Sequence, residues 1–229
     1  MKKRLFFTTF ALATFLLFAC TNSSKTPLES VKETDSVETP QPVTTDIPFD
    51  RDFQQINNFT DIDIEWSEGP CCVTFVGTPF QLADYDIDVD DAGLTINLIG
   101  NAGDCYLIIT SPTLTLLSNY GDGSIRLRGT LHTDKLEIGN MQNGLIEADT
   151  LECQSLKYTS QETANAQFSL VRANDAFILA DGAGNTDLHL DVRHLNLQAW
   201  GSQTITLTGH ADKQEINCSP TNTVNNQLH

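Results

Sequence analysis

From Ile125 onward, apolar and polar residues alternate in short bursts: Ile125-Arg126-Leu127-Arg128, Leu136-Glu137-Ile138, Leu188-His189-Leu190-Asp191, Ile205-Thr206-Leu207-Thr208. Period two predicts strands with one buried face. The bursts also recur. One column of apolar pairs runs Ile125/Leu127, Ile146/Ala148, Phe168/Leu170, Leu188/Leu190, Ile205/Leu207, in steps of 21, 22, 20 and 17. A second lies some ten residues on: Leu136/Ile138, Leu156/Tyr158, Phe177/Leu179, Leu195/Leu197. Between them a third column holds single residues: Leu131, Leu151, Val171, Val192. Small or polar residues open each unit, among them Gly121-Asp122-Gly123, Gln142-Asn143-Gly144 and Gly182-Ala183-Gly184-Asn185. Such residues suit tight corners.

Three columns on one period define a repeat of about twenty residues. One such unit cannot bury its own apolar face. Stacking units about 4.8 Å apart lets each strand pair with its copies above and below. The pattern therefore predicts an all-β chain folded as a β-solenoid, right-handed and β-helix-like, with repeats over residues 121–217. A β-sandwich with evenly spaced hairpins is the competing architecture, but it has no reason to align three columns.

Ahead of the repeats, residues 61–76 read as a hairpin turning at Gly69-Pro70. Residues 85–98 read as strands around Asp91-Ala92-Gly93, with a third partner at Tyr106 to Thr110. No segment past residue 20 keeps a 3.6-residue period, so very little helix is expected.

The N-terminus carries an address. Met1-Lys2-Lys3-Arg4 is a positive n-region, followed by an apolar stretch from Leu5 to Ala19 that is short for a membrane span. It ends Leu17-Phe18-Ala19-Cys20, which resembles a bacterial lipobox and marks Cys20 for lipidation; acyl chains there would anchor the chain to a membrane. Residues 1–20 are thus expected to be a lipoprotein signal peptide. Residues 21–48, rich in Ser, Thr, Pro, Glu and Lys, read as a disordered tether. Residues 49–219 read as one domain and residues 220–229 as a flexible tail. The tail looks too disordered to cap the last coil, which leaves an edge for homo-oligomers. The expected location is the outer membrane, facing the periplasm or the cell surface.

Charge narrows the partners. The 229-residue chain has a net charge of −17 and a pI near 4.4. Without the leader's three basic residues the balance is 10 basic against 30 acidic groups. Such a surface repels nucleic acid.

Several motifs invite chemistry. The run Asp84, Asp86, Asp88, Asp90, Asp91 suggests Ca²⁺, but an EF-hand loop from Asp86 would need Gly at position 91 and Glu at position 97. Alternate acids in a strand read as a solvated face. Cys71 or Cys72 with Cys105 is a candidate disulfide between neighbouring strands. No Cys-x-x-Cys spacing points to a metal. Asp191, His194 and Ser202 can be drawn as a triad, but no nucleophile elbow supports it. The aromatics Trp66, Tyr120 and Trp200 are candidates for stacking on a ligand. No catalytic residue, cofactor or metal ligand is assigned.

The order of parts resembles the autotransporter-adhesin "head GIN" domain family of bacterial lipoproteins. The resemblance rests on Phe53-Gln54-Gln55-Ile56 with Asp61-Ile62-Asp63-Ile64, on Asp91-Ala92-Gly93-Leu94-Thr95-Ile96, on Ile109-Thr110-Ser111-Pro112-Thr113-Leu114, and on the repeats that follow. It covers roughly residues 50–218. The family's repeats centre on Gly-Ser-Gly turns; this chain has Gly121-Asp122-Gly123 and Gly182-Ala183-Gly184, but Gln142-Asn143-Gly144 and Thr163-Ala164-Asn165 elsewhere. The resemblance implies a fold similar to that of pectin lyases without their catalytic residues, and a role in adhesion. The function expected is a non-enzymatic envelope lipoprotein that presents a repetitive solenoid face to glycan or protein. The alternatives are a polysaccharide-active enzyme on the same fold and a structural or sensor lipoprotein.

Overall fold

The computed structural model describes residues 42–100 and 103–229. The leader and Cys20 lie outside the described residues, as does the tether up to residue 41. Among the described residues, fourteen strands and a single helical turn form a β-solenoid of about six turns.

The regular part is five stacked strands, β9 (Ile125–Asn140), β10 (Leu145–Glu162), β11 (Asn165–Gly182), β12 (Asn185–Gly201) and β13 (Thr204–Cys218). Each pairs in parallel with the next, nearly residue for residue. Each makes one rung of three straight runs. Leu131 lies against Leu151, which lies against Val171, all buried. The next residue in this stack is Leu190, because β11 and β12 shift register between Phe168 and Val171. Val192, expected there, pairs with Ala173 instead.

A second correction concerns β11. The inward residues of its third run are Ala176 and Ile178, stacked on Leu156 and Tyr158; Phe177 and Leu179 face outward. In its first run Ala166 and Phe168 are buried and Leu170 is not. The segment Ala176-Phe177-Ile178-Leu179-Ala180 is apolar throughout, so alternation there does not declare a face, and a one-residue slip exchanges every side chain.

Ahead of β9 the chain builds the same stacks out of order. The first-run stack continues through β3 (Asp63–Glu68), β7 (Tyr106–Ser111), β4 (Cys72–Gly77) and β1 (Val43–Ile47). The third-run stack continues through β8 (Leu116–Asn119), β2 (Gln55–Asn58), β6 (Gly93–Leu98) and β5 (Tyr85–Asp90). The expected 61–76 hairpin does not form: β7 inserts between β3 and β4, parallel to β3 and antiparallel to β4. The β5–β6 hairpin does form, but β6 takes β2 rather than β7 as its other partner. The helical turn α1 (Pro79–Leu82) is held by a capping box in which Thr78 and Gln81 exchange side-chain and backbone hydrogen bonds.

Both ends of the expected domain extend. Val43–Ile47, placed in the tether, are strand β1 on β4. The expected tail contains β14 (Thr223–Leu228), which pairs in parallel with Thr204–Gly209 and covers the first run of the last coil.

Candidate functional site: a corner, a groove and a buried asparagine ladder

Where each third run turns into the next rung, a ladder of polar side chains lies inside the coil. The Asn58 side-chain amide donates to Asn119 Oδ1 at 2.9 Å, and that of Asn119 donates to Asn140 Oδ1 at 3.2 Å. Each also caps its own turn: Asn119 donates to Gly123 O, and Asn140 to Gly144 O at 2.7 Å. All three are fully buried. The turns have no room for a side chain: a Cβ on Gly144 would lie 2.2 Å from Asn119 Nδ2, and one on Gly121 would lie 1.8 Å from Thr60 O. The ladder was readable in part: Asn119 and Asn140 share a phase just ahead of the glycine turns, while Asn58 precedes Phe59-Thr60 and carries no such mark.

The outside of this corner carries aromatic residues. Phe59 and Tyr120 stack with ring centroids 4.7 Å apart and an interplanar angle of 4°. They are 50% and 39% exposed. Four rungs on, the register brings Trp200 to the same corner, 49% exposed. Two of the three proposed stacking residues therefore share one edge. The third does not: Trp66 is 0% exposed and donates Nε1–H to Ser111 Oγ at 2.8 Å. Its run Asp63-Ile64-Glu65-Trp66 points even positions inward.

At the other end of the third run, the bend between middle and third runs holds a groove of about 1140 Å³. The half-buried or buried row Thr133, Cys153, Ala173, Val192 lies along its length. One wall is an alternating ladder. His132 lies 3.6 Å from Glu68 and 3.2 Å from Glu152, and Arg172 bonds Glu152 at 2.6 Å. Asp191 and His210 continue it. His210 Nε2 lies 3.1 Å from Asp212. The hydrogen bond to Asp212, joined by one to His229 O, raises the His210 pKa above its usual 6.5. The other wall includes Asp134, Gln154, Asn174 and Arg193, with Asn174 donating to Gln154.

The remaining candidates are dispersed. Asp86, Asp88 and Asp90 are exposed on β5, as a solvated face requires. Among the described residues no cluster of His, Cys, Asp or Glu is placed to hold a metal ion. His194 pairs with Asp175 at 2.9 Å rather than with Asp191. The disulfide expectation fails on register. Cys72 lies opposite Thr110, whereas Cys105 precedes Tyr106, the partner of Val76. Five residues of strand, about 16 Å at 3.3 Å each, separate positions that a disulfide needs within about 7 Å. Cys71, Cys72, Cys105, Cys153 and Cys218 are all free. Cys71 Sγ instead meets the Phe53 backbone, and Cys105 meets Tyr85 Oη at 3.5 Å.

A lateral stack of parallel strands, each paired with the next, defines a β-solenoid. Residues 52–169 match the family model described as "Putative auto-transporter adhesin, head GIN domain", and the chain belongs to this family. It is similar in structure to a putative adhesin from Bacteroides fragilis, at 20% identity and a TM-score of 0.66 over 83% of this chain and 98% of that one. A putative adhesin from Parabacteroides distasonis gives 16% identity and a TM-score of 0.60, over 81% and 97%. A second Parabacteroides distasonis structure, described as a putative lipid binding protein, gives 16% and 0.52, over 82% and 96%. At these identities the likeness is one of fold. No curated protein matches the chain. The family's description as putative auto-transporter adhesins places it among proteins of the cell envelope or surface.

Proposed function

We propose that this protein is a non-enzymatic adhesion module, lipid-anchored through Cys20 to the outer membrane, that presents the outside of its solenoid to glycan or protein. One observation carries the reading: the corner that sets Phe59 and Tyr120 at one end and Trp200 at the other. Half-exposed aromatic rings on a rigid edge are favourable anchors for a partner. Their spacing of four rungs, about 19 Å at 4.8 Å per rung, suits a partner that contacts both ends. Beads coated with the chain should be retained on arrayed glycans or proteins, and Tyr120→Ala with Trp200→Ala should abolish that retention. Unchanged retention by the double variant rejects the corner as the contact. Mass measurement of the membrane-extracted protein, with Cys20→Ser as control, tests the anchor.

A second reading has its own observation. The groove brings Glu152, Asp191 and Asp212 beside Arg172 and Arg193, the carboxylates and bases that a polysaccharide-active site needs. Incubation with polysaccharides and a product assay decides it; any new reducing end displaces the adhesion reading.

A further inference from the structure

The groove at the bend differs in chemistry from the rest of the surface. Four carboxylates border it, from Asp134, Glu152, Asp191 and Asp212, against three fixed cations and two histidines. In a chain of net charge −17 this strip is close to neutral. A polyanion would meet four acids and a polycation three bases, so neither is favoured there. Among the described residues Lys135 and Arg193 hold no ion pair. Their donors are therefore available.

The groove also excludes one kind of occupant. An extended peptide binds a sheet by adding a strand to free backbone groups. Here the backbone on both sides of the bend is paired rung to rung, as at Cys153 with Thr133 and Ala173, and Ser155 with Lys135 and Asp175. Its N–H and C=O groups point along the axis.

What faces the groove is a set of planar polar side chains: Asn174, Gln154, Arg172, Arg193, Glu152, Asp191. Each carries at least two donors or acceptors in one plane, and the Arg172–Glu152 and Asn174–Gln154 bonds use only part of them. That geometry fits adjacent hydroxyl groups. A pair of these side chains stands at three successive rungs, Glu152/Gln154, Arg172/Asn174 and Asp191/Arg193, so a polymer lying along the axis meets planar polar partners at each step.

We propose that this groove binds a neutral linear glycan, its chain parallel to the solenoid axis, as a site separate from the aromatic corner. The test is titration of the full chain with linear hexamers of glucose, mannose and N-acetylglucosamine. A galacturonate hexamer and a ten-residue peptide of mixed charge serve as comparators. At least one neutral hexamer should bind. Asn174→Ala and Arg193→Ala should each weaken it by about tenfold, with circular dichroism unchanged. Asn174→Asp, which keeps the shape, should weaken it too. Lys157→Ala, on the third run away from the groove, should leave it within about twofold. Because no net charge is engaged, raising salt from about 0.05 to 0.5 M should also change affinity less than about twofold. Binding of the uronate or peptide alone overturns the proposal. So does indifference of the bound hexamer to the groove variants, or the absence of hexamer binding at millimolar concentration. Retention that depends on Tyr120 and Trp200 but not on Asn174 and Arg193 sinks the groove and leaves the adhesion reading standing.

Discussion

Gly184 sits so close to the rung below that a Cβ would lie 1.8 Å from Ala164 O. Backbone cannot yield as a flexible side chain does, so Gly184→Ala should cost about 1–3 kcal/mol and lower Tm by several degrees, read by calorimetry. The buried amides are a second sensitive point. Asn119→Ala removes the partner of Asn58 and strips Gly123 O and Asn140 Oδ1 of a donor. Buried unsatisfied groups cost about 1–3 kcal/mol each, so a loss of about 2–4 kcal/mol is expected, seen as a lower urea midpoint at constant m-value. At high pH two other residues come into play. Burial pushes the Cys153 thiol up from 9.0 to about 11 and the Tyr158 hydroxyl from 10.0 to about 12. Folded values above the unfolded ones mean stability fully present below pH 9 and lost as pH rises through 11 and 12. Denaturant midpoints should be level from pH 7 to 9 and then fall, and Cys153→Ala should remove the earlier part of the fall. The opposite slope would contradict the burial of both groups.

At the level of elements, the repeat was legible because the coil buries alternate residues on each run, and burial is what alternation records. Leu131, Leu151 and Val171 were aligned correctly from spacing alone. The phase of β11 was not, because Ala176 to Ala180 offers no polar residue to mark the outside. The order of the N-terminal strands was illegible for a different reason. A turn such as Gly69-Pro70 says that the chain reverses; it does not say that β7, some thirty-five residues on, will slip between the two arms. Of the candidate site, Tyr120 and Trp200 were found as exposed rings. The groove was missed because its members, Glu152 and Arg172 and Arg193, meet only through the twenty-residue register. Strand β14 was missed because Thr223-Val224-Asn225-Asn226-Gln227-Leu228 has only two aliphatic residues. Its role yields a prediction. Removing residues 221–229 bares the first run of β13, an edge free to pair. Light scattering after size exclusion should then report dimers or larger species; a monomer would mean that β13 protects itself.

For the whole molecule, each of β10 to β13 forms its strand pairing with its immediate neighbours alone, so stability should spread along the axis as in other solenoids. Hydrogen exchange should be slowest in β9 to β11 and fastest in β14 and the third run of β13, which has a partner on one side only. Uniform protection along the axis would speak against this independence. The crossed strand order near the N-terminus has another consequence, for the time course of folding. A chain made from its first residue onward holds β3 long before β7 and β9, the two strands between which β3 finally rests. Strands β2 and β3 must therefore wait, unpaired, until about forty further residues exist, when β6 and β7 have been made. The later coils meet no such delay, since each finds its template already laid down.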